Sequence, residues 1–179
     1  MSRESQPGTG KILLLIGRLA LAVIFIFAAY AKLKPQAAMP WSAGSVRTSL
    51  SMFAMQVDSY QLLPASLVSP SAHLLPFFEL GLGLWLLSGI LLRYSSLLTS
   101  LLLGAFFTVM VRTYAMGLEI NCGCFGPGEQ LGKKTLLRDG SLLALAVAVT
   151  IGTFLLHRRR RKLAGQASAP ESSQLTGQR

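Results

Sequence analysis

The chain has two cysteines, Cys122 and Cys124, separated by one glycine within Gly117–Gly128, GLEINCGCFGPG. A pair at this spacing can serve as a fixed bridge, remain as two thiols, exchange with another protein, or ligate a metal. A Cys-x-Cys bridge closes a very small ring, and Gly123 permits a backbone that most residues resist. Strained, exposed disulfides are the more oxidising ones, which suits exchange over permanent stapling. The attacking species is the thiolate, so neighbouring charge matters. Lys133, Lys134, Arg112 and Arg138 are the cations expected on this side, opposed by Glu119 and Glu129. Two thiolates do not complete a tetrahedral metal site, and His73 is the one further ligand expected on this face. Metal binding would therefore require a shared site with a partner. Gly126, Pro127 and Gly128 keep helix from continuing through the loop.

Long apolar runs flank this loop and must position it. Hydrophobic residues make up 51% of the chain and charged residues 13%, a balance that excludes an ordinary soluble globule and fits bilayer-spanning helices. The expected fold is all-α: an integral membrane four-helix bundle with an amphipathic segment in the first extracytoplasmic loop. Spans are expected near 12–31, 72–92, 95–116 and 135–156. About twenty helical residues rise about 30 Å, the thickness of a bilayer core. The expected organisation is a disordered cytoplasmic amino terminus over 1–10, a membrane domain over 11–157 and a basic, disordered cytoplasmic tail over 158–179. Arg3 and Lys11 before the first run, and Ala29-Tyr30-Ala31 near its end, have the look of a signal peptide. The length of the run and Arg18 within it favour an uncleaved span.

Between the first two spans, Val46, Leu50, Phe53, Val57 and Tyr60 recur at helical spacing and form one apolar stripe. Such a helix would lie in the membrane interface or cover the bundle. Pro64 and Pro70 are expected to break the chain before the second span, and Gly81, Gly83 and Gly89 to let helices approach closely. Arg93 and Tyr94 mark a tight hairpin.

The net charge is +10, and its densest part is Arg158–Lys162, directly after an apolar run, as in a cytoplasmic flank. No aromatic residues interleave with this cluster, so nucleic-acid binding is not the reading. With four spans both termini are then cytoplasmic and the cysteine loop is extracytoplasmic, where disulfides persist. This places the thiols where outside proteins can touch them. Arg18 and Glu79 fall inside apolar runs, where a charge needs a partner or a wet cavity. By helical rise Arg18 is roughly 9 Å from the cytoplasmic end of its helix and Glu79 about 10 Å from the outer end of its own, so the two should not pair. Snorkelling to the headgroups is the expectation for Arg18. Arg112, with Lys32 as the other candidate, is the expected partner of Glu79.

Several features recur together in order: Arg18 with its apolar run, Lys32-Leu33-x-Pro35, Tyr60-x-Leu62-Leu63-Pro64, and Leu75-Pro76-x-x-Glu79-Leu80-x-x-Gly83. Cys122-Gly123-Cys124-Phe125-Gly126 follows, then Arg138 with the apolar run behind it. Over roughly Gly17 to Thr150 the chain resembles the MauE family of methylamine utilisation membrane proteins, and more widely the DoxX-like four-helix membrane proteins. The resemblance implies a multi-pass protein of a bacterial-type inner (plasma) membrane that assists disulfide formation or maturation of a secreted partner. In the methylamine system that partner is the disulfide-rich small subunit of methylamine dehydrogenase, with a thioredoxin-like protein acting alongside. On this reading Cys122 and Cys124 exchange, Gly123, Phe125 and Gly126 shape the loop, and Glu79, Arg112 and Arg18 are supporting polar groups. The chain has no second cysteine pair, so its thiols must meet a partner's dithiol and then a quinone-like acceptor or a second protein. No motif identifies a quinone site. The competing readings are a membrane assembly factor without turnover and a small-solute transporter.

Overall fold

The computed structural model describes residues 9–35, 39–118, 120–122 and 129–167, apart from the side chains of Thr9 and of residues 159–167. The expected disorder of residues 1–8 and 168–179 lies outside that range. Five helices follow in order: α1 (Thr9–Leu33), α2 (Ala43–Ser59), α3 (Ala65–Ser88), α4 (Leu92–Ala115) and α5 (Lys133–Ala167). Four of them, α1, α3, α4 and α5, are long and apolar enough to cross a membrane. The expected all-α membrane bundle is the observed one. Among the described residues, extended pairing is confined to one antiparallel bridge between Asn121 and Gln130.

Local signals explain most helix ends. Ser42 and Ser45 form a reciprocal capping box on α2, each hydroxyl accepting the other's backbone N–H at 3.1 and 2.9 Å. Gly89 (φ +69°) ends α3 in the left-handed region, and the chain reverses within a few residues to enter α4. Arg93 lies inside the first turn of α4 rather than in the hairpin itself, 4.9 Å from the Phe154 ring of α5. At the far end of α4, Gly117 (φ +71°) turns the chain out. The bonds from Gly117 N–H to the Tyr114 carbonyl and from Leu118 N–H to that of Thr113 complete a Schellman cap.

Two expectations change. α3 starts at Ala65 and runs through both Pro70 and Pro76, so Pro70 is not a breaker. A proline near the start of a helix forfeits one hydrogen bond early in the ladder, and the burial of Val68 and Ala72 on either side holds the segment helical. α5 continues through Arg158–Lys162 to Ala167, because arginine, lysine and leucine are good helix formers and no proline intervenes.

The bundle consists of two closely packed pairs. α1 lies along α3 and α4 along α5, with α1 against α5 joining the pairs, while α1 and α4 scarcely touch. Leu21, Ala22, Leu86, Ala146 and Val149 form the buried core where α1, α3 and α5 meet. Small residues set these distances: a Cβ on Gly83 would stand 2.8 Å from Ile26 Cγ1 and 3.1 Å from the Ala22 carbonyl. Gly17 and Gly152 do the same between α1 and α5, against Val149 and Leu14. Of the other glycines expected at close contacts, Gly81 faces open space, whereas Gly89 both stops its helix and lies against α1, where a Cβ would stand 2.7 Å from the Arg18 guanidinium. Between α4 and α5 a hydroxyl seam replaces glycine: Ser100 and Thr150 are 2.9 Å apart, and Thr150 donates to the Ser96 carbonyl at 2.9 Å.

α2 covers the bundle with the anticipated stripe. Leu50 and Phe53 are buried, and Val46, Val57 and Tyr60 half-buried. The α1–α3 contact yields a prediction. Gly83→Val should destabilise the protein by about 1–3 kcal/mol through overpacking, whereas Gly81→Val should change stability by under about 0.5 kcal/mol. Unfolding of both variants in the same detergent checks this.

Candidate functional site

Cys122 stands at the base of the cysteine loop, where the chain pinches together. Its N–H donates to the Glu129 carbonyl at 2.7 Å, and the N–H of Leu131 donates to the Ile120 carbonyl at 2.9 Å. From α2, the Tyr60 hydroxyl donates to the Cys122 carbonyl at 2.8 Å. These bonds aim the side chain inward, and Cys122 is only 4% exposed. Its Sγ lies 3.9 Å from Met110 Sδ on α4 and 3.9 Å from Asp139 Oδ2 on α5. The expectation that outside proteins can touch both thiols is therefore corrected for Cys122. Gly123, Cys124, Phe125 and Gly126 lie outside the described residues.

Asp139 is the polar group at this site that reading by sequence missed. It sits one turn inside the expected fourth span, as unusual there as Glu79 is in the second, and that position was the available signal. Arg138 Nε donates to Asp139 Oδ1 at 2.8 Å, and Arg138 also pairs with Glu129. Arg138 thus holds together the carboxylate beside the thiol and Glu129 on the margin of the loop. Among the described residues the charged group in contact with the Cys122 sulfur is the Asp139 carboxylate, with Arg138, one of the expected cations, bound behind it. Lys133 and Lys134 are exposed. The Asp139 carboxylate has one oxygen beside the Cys122 sulfur and the other on Arg138, the position that a proton acceptor for that thiol would occupy.

The second polar group is Glu79, and its partner is Lys32. Lys32 Nζ donates to both carboxylate oxygens at 2.9 and 2.8 Å, with the two side chains 3% and 7% exposed. Lys32 Nζ also lies 5.4 Å from the centroid of the Phe53 ring, so α2 closes over the pair. Arg112, the first candidate, is exposed in the last turn of α4. Counted from the shared hairpin, it stands about 15 Å higher along the bundle than Glu79. Arg18 does not meet Glu79, as depth required. It reaches across to α3, donating to the Leu87 carbonyl at 3.1 Å, where a cation complements the end of a helix dipole. His73 Nδ1 is 2.7 Å from the Ser69 carbonyl within α3.

Both polar groups line one cavity. About 460 Å³ of space lies between α1 and α4, roofed by α2. Its walls are apolar, with Phe25, Phe53, Phe106 and Phe107 contributing four rings. The polar exceptions are Lys32, Glu79, Gln56, Tyr60, Cys122 and Asp139. The gap exists because α1 is drawn to α3 and α5 by glycine contacts while α4 is drawn to α5.

Two outcomes follow from this geometry. Lys32→Met should cost about 3–5 kcal/mol by leaving Glu79 buried alone, and Lys32→Met with Glu79→Leu should recover most of that loss, as read from unfolding in detergent. In a Cys124→Ser chain, Cys122 should resist a membrane-impermeant maleimide until the protein is denatured, as mass spectrometry would register.

No curated protein and no solved structure matches the chain. The family model described as methylamine utilisation protein MauE matches residues 10–152, which takes in three membrane helices, most of the fourth span, the α2 cover and the cysteine loop, and the chain therefore belongs to the MauE family.

Proposed function

We propose that this protein is a membrane thiol–disulfide redox component serving an extracytoplasmic client, in the setting of methylamine utilisation that its family's description names. Cys122 and Cys124 form the exchanging pair, and the observation that carries the reading is Cys122 Sγ 3.9 Å from the Asp139 carboxylate, inside a protein wall. A staple needs no proton acceptor; a pair that opens and closes does. The burial of Cys122 divides the labour. Cys124 meets the incoming protein, a thioredoxin-like carrier or the client itself, and Cys122 resolves the mixed disulfide from inside. Asp139 accepts and returns the Cys122 proton, Arg138 holds Asp139, and Glu79 with Lys32 secures the helices around the site. In this reading Gly123, Phe125 and Gly126 shape the loop, and the chain sits in the inner membrane with both termini cytoplasmic and the loop outside. The wider DoxX-like grouping belongs to the same reading.

Trapping separates this from an assembly factor with a fixed bridge. A Cys122→Ser chain should accumulate a mixed disulfide with its partner through Cys124, while Cys124→Ser should accumulate none. Equal trapping by both, or full client maturation by a chain lacking both thiols, would sink the proposal. Asp139→Asn should slow oxidation of the reduced pair by about 10²-fold or more, the range of a lost general base, with folding judged separately by thermal unfolding.

A further inference from the structure

The cavity between α1 and α4 is not needed to hold the bundle together, since the close helix contacts lie elsewhere. Its composition is specific. Phe53 descends from the roof and Phe106 and Phe107 from α4, so aromatic faces border the space from more than one helix. Stacking on such faces favours a flat ring. Two residues that carry donors, Lys32, held by Glu79, and Gln56, line the same space. An electron donor, the Cys122 thiol, lies in the wall beside a proton-accepting carboxylate. The volume of about 460 Å³ falls in the range of small-molecule sites, about 300–1,000 Å³. Ile24, Leu102 and Phe106 line the cavity and are themselves half-exposed on helices of membrane length.

We infer that this cavity binds the ring of a lipid-soluble quinone, which takes electrons from the cysteine pair. The inference rests on the redox reading above and names its acceptor. In the step, the thiols of Cys122 and Cys124 lose two protons and two electrons as one S–S bond forms. The quinone gains both electrons and two protons and leaves as the quinol. Asp139 is placed to receive the proton from Cys122. Lys32 and Gln56 are positioned to donate to a ring carbonyl, whose oxygen accepts charge as the ring is reduced. The four phenylalanines hold the ring and keep water from the sulfur.

The test uses the full chain in lipid nanodiscs with decylubiquinone as the probe. Binding should saturate near one quinone per chain and should persist when both cysteines are replaced by serine. Val57→Trp, which fills the cavity from the peripheral helix α2, and Phe106→Ala, which removes a ring, should each weaken binding by about tenfold or more. Thermal unfolding shows whether each variant is folded, and two variants on different helices guard against the failure of one. Reduced wild-type protein without oxygen should convert about one decylubiquinone per chain to the quinol, seen as loss of quinone absorbance, and the doubly serine-substituted chain should convert none. Absence of saturable binding overturns the inference, as does binding indifferent to both variants. Equal displacement by decane identifies an acyl-chain pocket and also overturns it. Binding without quinol formation removes the acceptor role. If quinone fails while the mixed disulfide is still trapped through Cys124, the redox reading stands and this inference alone falls.

Discussion

A charge placed in hydrocarbon must be neutralised by something within reach, and the Lys32–Glu79 pair meets that demand where α1 and α3 pass each other. Lys32 comes from the end of α1 and Glu79 from the middle of α3, and each is almost fully buried. The bidentate contact fixes the height of one helix against the other. The same ammonium lies close enough to the Phe53 ring to engage α2, so a helix too short and polar to span the membrane is held over the bundle. Buried pairs of this kind are weak evidence of added stability, because desolvation offsets the attraction. Their value lies in register: any other arrangement of α1 and α3 leaves two charges unanswered.

Register at the opposite end is set by a different device with the same logic. Arg18 donates to a carbonyl at the end of α3, where the last turn of a helix has oxygens without helical partners. The two contacts bracket the α1–α3 interface, and between them Gly83 lets the backbones approach. The pull of these contacts has a structural cost elsewhere. α1 cannot lie close to α3, α5 and α4 at once, and the space left between α1 and α4 becomes the cavity. Its apolar lining follows from the helices being apolar on all sides, as membrane helices are.

The cysteine loop meets this cavity through hydrogen bonds that do not involve sulfur. The pinched backbone at Ile120–Cys122 and Glu129–Leu131, with Tyr60 reaching down from α2, turns one thiol inward toward α4 and α5. A Cys-x-Cys pair is commonly pictured as a single exposed unit. Here Cys122 is buried beside a carboxylate, and that burial underlies the proposal of different roles for the two thiols. Arg138 couples the two layers of the site, since it binds both Asp139 next to the sulfur and Glu129 on the loop margin.

The fold was legible in the sequence because hydrocarbon imposes its rule locally. Runs of apolar residues of the right length form helices, since a helix is the backbone that satisfies itself in lipid within a single segment. The stripe from Val46 to Tyr60 likewise declared a covering helix through spacing alone. The cysteine pair and the intramembrane Glu79 were visible for the same reason: each is the wrong kind of residue for its surroundings unless it has work there. Pairing was not legible. Choosing Lys32 over Arg112 depends on which helices pack together and at what height, and Asp139 mattered only once the loop folded back onto α5. Sequence determined that the chain forms membrane helices around a thiol loop, because burial in lipid is a property of each segment. Tertiary structure decided which charges meet and which way Cys122 points, because those depend on distances between segments far apart in the chain.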